Sequence, residues 1–330
     1  MLMSFDVPIL FIVFNRPGTT RQVFQRIKEL QPAKLFVAAD GPRPEKEGEA
    51  ERCEAVRRLI LDGIDWPCEV KTLFRFHNFG CGNAVSSAIS WFFDNVEEGI
   101  ILEDDILPDP SFFNFCKVLL EKYRHDKRIK VIGGSNVGKG TGITDSYYFS
   151  AISRIWGWAT WRRVWDHYNF SLEHIKDEEL DDILRYYFSR ENIIDQWKKV
   201  FSDVKEKKID TWDYQLVFSI WKNKGINIVS ARNLVSNIGF GPEATHTKDI
   251  EGSFNNIAVE SVGKIRHPDK IQINRSQDKF LIQHALGTEE TLITDLKERI
   301  KGFLKTKLNV DDARQGRIKK WLSLDAHDAN

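Results

Sequence analysis

Three consecutive carboxylates are the residues of this sequence most able to do chemistry. Glu103, Asp104 and Asp105 directly follow the apolar run 100–102. Adjacent carboxylates repel one another unless water or a cation neutralises them, and hard oxygen ligands favour Mg²⁺ or Mn²⁺. The alternative is structural, with Asp104 and Asp109 as turn or helix-capping residues, a role that we expect of Asp109. For the triplet we favour a metal-binding site.

The elements that must position the triplet are predicted to be the strands of an α/β fold. Segments rich in apolar residues at 7–14, 34–39, 70–74 and 100–102 predict strands, with helical stretches between them. Strand-helix units of this length are typical of a doubly wound, mostly parallel sheet flanked by helices. Ligands bind such sheets beyond the carboxyl ends of the strands. The triplet therefore lies where a ligand site is expected.

Two further polar residues follow the first and second predicted strands. Arg16 can pair with a phosphate through two hydrogen bonds, and Asp40 can accept from a base N–H or a ribose hydroxyl. No G-x-G-x-x-G motif follows the first strand, so nothing favours a dinucleotide cofactor. We expect a single nucleotide whose diphosphate is bridged by a metal ion. The alternative is that Asn15 and Asp40 are ordinary turn residues.

The composition narrows the class of protein. The 330 residues contain 42% hydrophobic residues, enough for one large domain with an appendage. Lysine and arginine (48) balance aspartate and glutamate (48), so no basic field indicates nucleic acid as a partner. The four cysteines form no C-x-x-C pair, and no apolar run is long enough for a transmembrane segment. We expect a cytoplasmic protein with reduced thiols.

A tryptophan-rich segment lies at 153–165. On a helix Trp158, Trp161 and Trp165 would share one face, and for the last two we expect simple core packing. Gly157 and Trp158 indicate a different role. Glycine lets the backbone approach a ligand, and an indole ring offers a flat face to sugar C–H groups.

Two more segments could contribute to a site. Thr211 can cap a helix that begins near Trp212, which places Asp213 in its first turn. Asp213 is then either a charge partner of the helix dipole or a general base, and the residues alone leave both open. His246, in a glycine-rich polar loop, is either a further metal or phosphate ligand or simply exposed.

The sequence predicts a catalytic domain at 1–250 and a C-terminal appendage at 251–330. The nucleotide-binding part covers about 1–110 and the acceptor part about 111–250. Helically spaced apolar residues line one face of the appendage, namely Leu292, Leu296, Ile300, Phe303 and Leu308. Lysines lie among them, so this helix can dock on the domain, dimerise or contact the inner face of a membrane peripherally. The sequence does not indicate an oligomeric state.

Taken in order, these motifs resemble the nucleotide-sugar glycosyltransferases of the glycosyltransferase-A fold. Within that fold they are most similar to the N-acetylglucosaminyltransferase I group and its bacterial relatives. The most specific mark is the Glu-Asp-Asp triplet followed by Asp109-Pro110-Ser111-Phe112-Phe113. The resemblance covers about 7–246 and leaves the last eighty or so residues unmatched.

The resemblance implies a role for each matching residue in the nucleotide half. Arg16 would contact the diphosphate and Asp40 would read the uracil. Asp105 would ligate the metal, Asp104 would contact the ribose, and Glu103 would contact the donor sugar. One departure is Asn15, which stands where the family usually has an acidic residue.

In the second half the resemblance implies a catalytic base. Trp212 would hold the sugar while Asp213 takes a proton, and Gly157-Trp158 matches a Gly-Trp that contributes to the sugar or acceptor site. The loop at 239–246, with His246 as a further candidate metal ligand, would close over the diphosphate. This loop matches the family poorly residue for residue.

The implied activity is metal-dependent, inverting transfer of a sugar from a UDP-sugar to a hydroxyl of a glycan or lipid-linked glycan, with Mn²⁺ or Mg²⁺. A sugar-1-phosphate nucleotidyltransferase is the first alternative. It would need a glycine-rich, basic loop after the first strand, and the turn at 15–18 is too short for one. A non-catalytic carbohydrate-binding protein is the second alternative, against which the carboxylates at 105 and 213 argue.

Overall fold

A sheet of eight strands forms the centre of the computed structural model, which describes residues 5–137, 142–239 and 257–285. Across the sheet the strands are β3 (Glu69–Phe74), β2 (Lys34–Ala39), β1 (Ile9–Val13), β4 (Glu98–Glu103), β8 (Trp158–Trp161), β6 (Ile129–Gly133), β9 (Ile226–Ser230) and β7 (Tyr147–Ser150). Only β8 and β7 run against the other six. A separate antiparallel pair joins β5 (Ile106–Pro108) to β10 (Val235–Asn237). The predicted mostly parallel sheet is confirmed.

Helices flank this sheet. They are α1 (Pro17–Leu30), α2 (Glu49–Leu61), α3 (Cys81–Asn95), α4 (Pro110–Tyr123), α5 (Arg162–Trp165), α6 (Asp177–Tyr187), α7 (Glu191–Lys205), α8 (Asp213–Lys222) and α9 (Arg275–Ala285). Among the described residues, no helix combines the length and apolarity that crossing a membrane requires.

Both faces of the central strands are buried, which explains why their sequences are continuously apolar. Phe11 of β1 packs into the same core as Ile27 of α1. On the other side, the rings of Phe36 in β2 and Phe92 in α3 meet edge to face with centroids 5.0 Å apart. A parallel sheet covered on both sides by helices requires such strands.

The start of α4 fixes the chain just beyond the carboxylate triplet. Asp109 caps the helix, its Oδ1 accepting a hydrogen bond from the Ser111 N–H at 2.8 Å, and Pro110 occupies the first turn. The predicted capping role of Asp109 is confirmed, and such a cap contributes about 1 kcal/mol of stability.

The tryptophan-rich segment does not form the single helix on which its residues would share a face. Trp158 to Trp161 form β8, and only the residues from Arg162 onward are helical. The reason is tertiary, because β8 fills the gap between β4 and β6 and pairs antiparallel with both. Trp161 and Trp165 are buried, as expected of core residues.

Residues beyond 256 pack on the domain where they are described. Ser261 donates to Asp109 at 2.9 Å, and the Arg266 N–H donates to Ser146 at 2.9 Å. The compact unit that contains the sheet extends to Leu281. The division into a catalytic domain and an appendage at 250 stays a prediction, and the amphipathic stretch with Leu292 lies outside the described residues.

Candidate functional site

The carboxyl ends of β1 and β4 bring the first site residues together. The Arg16 guanidinium, just after β1, donates through Nη2 to Oδ1 of Asp104, and its Nη1 lies 3.0 Å from Oδ2 of Asp105. The backbone N–H of Phe14 also donates to Asp104, at 3.3 Å. Burial opposes the charge of Arg16, but the two carboxylates together hold its pKa above the ordinary value. Asp104 thus lies in the turn between β4 and β5, and its side chain pairs with Arg16 instead of capping a helix.

Arg16 forms ion pairs with Asp104 and Asp105 but not with Glu103. Burial raises its pKa from 4.5 to about 8, and the charges of Asp105 and Asp104 add to that effect. Burial also raises the pKa of Asp104, but Arg16 opposes the shift there. Near neutral pH, Glu103 is thus mainly a neutral carboxylic acid, able to donate one hydrogen bond to a bound molecule.

The raised pKa of Glu103 predicts a pH-dependent stability. Between about pH 4.5 and about pH 8 the unfolded chain releases the Glu103 proton while the folded protein keeps it, so stability falls as the pH rises. Glu103→Gln has no proton to release. In EDTA, its free energy of unfolding relative to wild type should increase across this window and stay constant above it.

Urea denaturation at several pH values across and above the window measures this difference. Glu121→Gln, which changes an exposed glutamate of α4, is the matched control and should show the pH dependence of wild type. Parallel pH curves for wild type and Glu103→Gln would show that Glu103 is not the group responsible.

Asp213 is the first residue of α8 and faces the same site. Its Oδ1 accepts hydrogen bonds from the Thr211 hydroxyl and from the Tyr214 N–H, the latter at 2.9 Å. Its Oδ2 accepts none from the described residues, and the side chain forms no ion pair with them. The charge of Asp213 contributes to the raised pKa of Glu103, so the two carboxyl groups lie within electrostatic reach. Among the described residues, Oδ1 is thus held by two hydrogen bonds, while Oδ2 can still accept one.

The capping residue of α8 is Trp212, where the sequence indicated Thr211. The Thr211 hydroxyl instead turns to the Asp213 carboxylate, because that acceptor lies only two residues ahead in the same turn. Thr211 thus orients the candidate base.

Asp210 connects the segment that carries Asp213 to the start of α3, and no sequence pattern singles this residue out. Its carboxylate accepts from the backbone N–H groups of Cys81, at 3.1 Å, and Gly82, at 2.9 Å. These are the first amides of α3, which have no partner within the helix, and a negative charge there also complements the helix dipole. Asp210 therefore ties the loop before α8 to α3.

The thiol of Cys81 lies among acidic groups. Burial raises its pKa, and the charges of Glu103, Asp210 and Asp213 raise it further. A protonated thiol is a poor nucleophile. The Cys81 side chain is thus an uncharged, unreactive group near Glu103 and Asp213.

Asp40 lies at the end of β2, but its carboxylate already has donors within the chain. It accepts from the N–H of Gly41 at 2.9 Å, from the Asn78 amide at 2.9 Å, and from the N–H of Phe79 at 3.0 Å. Burial raises its pKa. Asp40 thus organises the turn before α3, and its reading of a base stays a prediction.

Asn15 departs from the family pattern for a local reason. Its amide donates to the buried carboxylate of Glu49 at 2.8 Å, and Arg43 pairs with the same carboxylate. An acidic side chain at position 15 would place a second negative charge against Glu49.

The aromatic candidates are buried within the protein. Trp158 is 1% exposed and stacks on Trp212 with ring centroids 5.8 Å apart. Gly157 has a φ of +59°, and a Cβ there would meet Val235 at 2.6 Å. The backbone conformation and the packing against Val235 thus explain why position 157 is a glycine. Sugar contacts by Gly157, Trp158 and Trp212 stay predictions.

The start of the glycine-rich loop passes directly beside the triplet. The Ile238 N–H donates to the Asp105 carbonyl at 2.8 Å, and a Cβ on Gly239 would lie 2.1 Å from Oδ2 of Asp105. Only glycine permits this approach without a shift of Asp105 or Arg16. His246 lies outside the described residues, so its role stays a prediction.

The donor set suits a hard divalent cation, although the described part of the chain supplies few ligands. In this structure Asp104 and Asp105 already bind a cationic group, that of Arg16. Within the ranges described, no cluster of three or more His, Cys, Asp and Glu side chains could hold a metal ion. Mg²⁺ is commonly bound by one or two carboxylates together with phosphate oxygens and water. The residues present fit a metal that a nucleotide helps to bind.

Comparison with known proteins gives no family. No protein-family model matches the chain, and the search of curated proteins gives no match. Solved structures that it resembles include a UDP-glucose pyrophosphorylase complexed with UDP-glucose, with a TM-score of 0.29, 9% identity and coverage of 49% of this chain and 78% of that chain.

Two others are HddC from Yersinia pseudotuberculosis and a UTP-bound UGPase from Acinetobacter baumannii. HddC has a TM-score of 0.31, 9% identity and coverage of 51% of this chain and 85% of that chain. The UGPase has a TM-score of 0.34, 6% identity and coverage of 68% of this chain and 85% of that chain. These likenesses do not support the N-acetylglucosaminyltransferase I group in particular, and at such TM-scores they carry no argument about activity.

Proposed function

We propose that the chain is a metal-dependent, inverting glycosyltransferase that moves a sugar from a UDP-sugar to a hydroxyl of a glycan acceptor. The observation that carries the proposal is the state of Asp213. Its Oδ1 is fixed by two hydrogen bonds, its Oδ2 accepts none from the residues that the structure describes, and it lies within electrostatic reach of Glu103. A carboxylate arranged in this way is suited to accept a proton.

The nucleotide half supplies the groups that a nucleotide diphosphate needs. Arg16 can turn from the carboxylates to the phosphate oxygens, since guanidinium binds both kinds of anion through the same paired donors. Asp105 would hold Mn²⁺ or Mg²⁺, which when bound would offset the charge that builds on the leaving diphosphate. Asp104 would face the ribose and Asp40 the uracil, as the family resemblance implies.

In the transfer step, Asp213 takes the proton of the acceptor hydroxyl as its oxygen attacks the anomeric carbon. The bond between that carbon and the diphosphate oxygen breaks, and its electron pair leaves with UDP. Attack on the face opposite the leaving group inverts the anomeric configuration. A protonated Glu103 would donate a hydrogen bond to a donor-sugar oxygen, as its raised pKa allows.

The second candidate is a sugar-1-phosphate nucleotidyltransferase, the kind of activity that the name UDP-glucose pyrophosphorylase describes. The connection from β1 to α1 argues against this activity, because it is only three residues long, from Phe14 to Arg16. No glycine-rich loop fits there.

A direct assay separates the candidates. The protein is incubated with a panel of UDP-sugars and Mn²⁺, with and without glycan acceptors, and separately with UTP and glucose 1-phosphate. We expect UDP release that stops in EDTA, and no pyrophosphate from UTP. Pyrophosphate release without UDP release would establish the nucleotidyltransferase, and UDP-sugar binding without either product would establish a binding protein.

A further inference from the structure

A cleft of about 640 Å³ lies along α3. It is lined by aromatic rings and by hydroxyl and amide side chains, namely Phe79, Tyr168, Phe170, Asn83, Ser86, Ser87, Ser90 and Asn169. Two of the rings are open to solvent, since Phe79 is 53% and Phe170 39% exposed. The serine hydroxyls beside these rings donate to carbonyls of α3, so toward a ligand they can act only as acceptors.

None of the lining residues is charged. Arg75 touches the lining from behind, with its guanidinium 4.9 Å from the centre of the Phe79 ring and Nη2 donating to the Ser87 hydroxyl at 2.7 Å. It is itself only 9% exposed, so its charge is not presented to the cleft. The surface therefore suits a neutral ligand better than a phosphate or a carboxylate.

The chemistry of the lining matches a saccharide. Sugar rings pack their C–H faces on aromatic side chains, while their hydroxyl groups exchange hydrogen bonds with hydroxyls and amides. The side-chain amide of Asn83 is exposed and makes no hydrogen bond to another described residue, so its donors and acceptor remain available. Tyr168 is stacked on Trp165 with ring centroids 4.1 Å apart, which holds that ring rigidly.

The cleft is continuous with the loop that carries the candidate base. The Tyr168 hydroxyl donates to the carbonyl of Trp212 at 3.1 Å, and the charge of Asp213 acts on that hydroxyl. A Cβ on Gly82 would lie 3.2 Å from the Phe170 ring and 2.7 Å from Oδ1 of Asp210. A ligand in the cleft would thus lie next to the segment from Asp210 to Asp213.

We propose that this cleft binds the acceptor and that the acceptor is a neutral saccharide, with Phe170 and Phe79 as stacking platforms and Asn83 as a hydrogen-bonding group. The inference rests on the proposed function, because it takes Asp213 as the base that the acceptor hydroxyl must reach.

Phe170→Ala and Asn83→Ala test the cleft, since both residues lie at the surface and neither change removes core packing. Phe76→Ala is the matched control, because Phe76 is 88% exposed and does not line the cleft. Binding is measured without turnover, first on an array of neutral and acidic oligosaccharides and then by saturation-transfer NMR with the best neutral binder. UDP binding in Mn²⁺ is measured by calorimetry for every variant.

We expect a neutral oligosaccharide to bind and Phe170→Ala to weaken it by about tenfold or more, since the variant loses both the stacking contact and the apolar area that the ring buries. Asn83→Ala should weaken it less, and Phe76→Ala should bind as wild type does. UDP affinity should be unchanged throughout. Saccharide binding that is indifferent to Phe170, preference for acidic glycans, UDP affinity lost in parallel, or no binding on the array would each overturn the inference. If the UDP-release assay fails while saccharide binding still depends on Phe170, the proposed function falls and the cleft remains a saccharide site.

Discussion

Asp213→Asn should lower the rate of sugar transfer by about 10²-fold or more and leave UDP-sugar affinity nearly unchanged. Asparagine keeps the size of the side chain, and its carbonyl oxygen can still accept the hydrogen bonds that reach Oδ1. It cannot take a proton from an acceptor hydroxyl. The interaction that is lost exists mainly in the transition state, so the rate falls while ground-state binding stays.

Transfer rates and calorimetric donor affinities measured on the same preparations test this expectation. Asp195→Asn changes an exposed aspartate of α7 and should transfer at the rate of wild type. Near-normal turnover by Asp213→Asn would remove the residue from the mechanism. NMR of the product gives an independent check, because retention of the donor's anomeric configuration is incompatible with a single inverting base.

Asp105→Ala should abolish the tightening of UDP by Mn²⁺. If Asp105 and phosphate oxygens hold the metal together, as we propose, the metal and UDP each strengthen the binding of the other. Without the carboxylate the ion would lose its main proposed anchor in the chain. UDP affinity in Mn²⁺ should then equal the affinity in EDTA.

Calorimetry of UDP in Mn²⁺ and in EDTA measures the effect, with urea denaturation to show that the variant is folded. Asp94→Ala, at an exposed aspartate of α3, is the control and should keep the metal effect. Equal tightening of UDP by Mn²⁺ in wild type and in Asp105→Ala would mean that Asp105 is not the anchor.

The sheet edge could be predicted because its signals are local. An apolar run that ends in a charged or polar residue marks both a buried strand and its carboxyl end, which is why Arg16 and Asp104 were expected at one edge and are in contact there. The capping role of Asp109 is local in the same way, since Ser111 is only two residues away.

The rest depended on contacts between distant parts of the chain. The strand β8 could not be predicted because its conformation follows from the gap between β4 and β6 that it fills. Phe79 and Phe170 are 91 positions apart, so no spacing in the sequence marks them as walls of one cleft. The same holds for Asp210, whose partner Gly82 lies 128 positions earlier.

The hydrogen bonds from the first amides of α3 to Asp210 affect the order in which the protein folds during synthesis. The N-terminal half is translated first, and domains generally begin to fold in that order. The amides of Cys81 and Gly82 that Asp210 accepts from have no other partner within the helix, so they remain hydrated until residue 210 has emerged from the ribosome. Asp213 follows three residues later. The contact that completes the first turn of α3 therefore forms at about the stage of synthesis at which the candidate base leaves the ribosome.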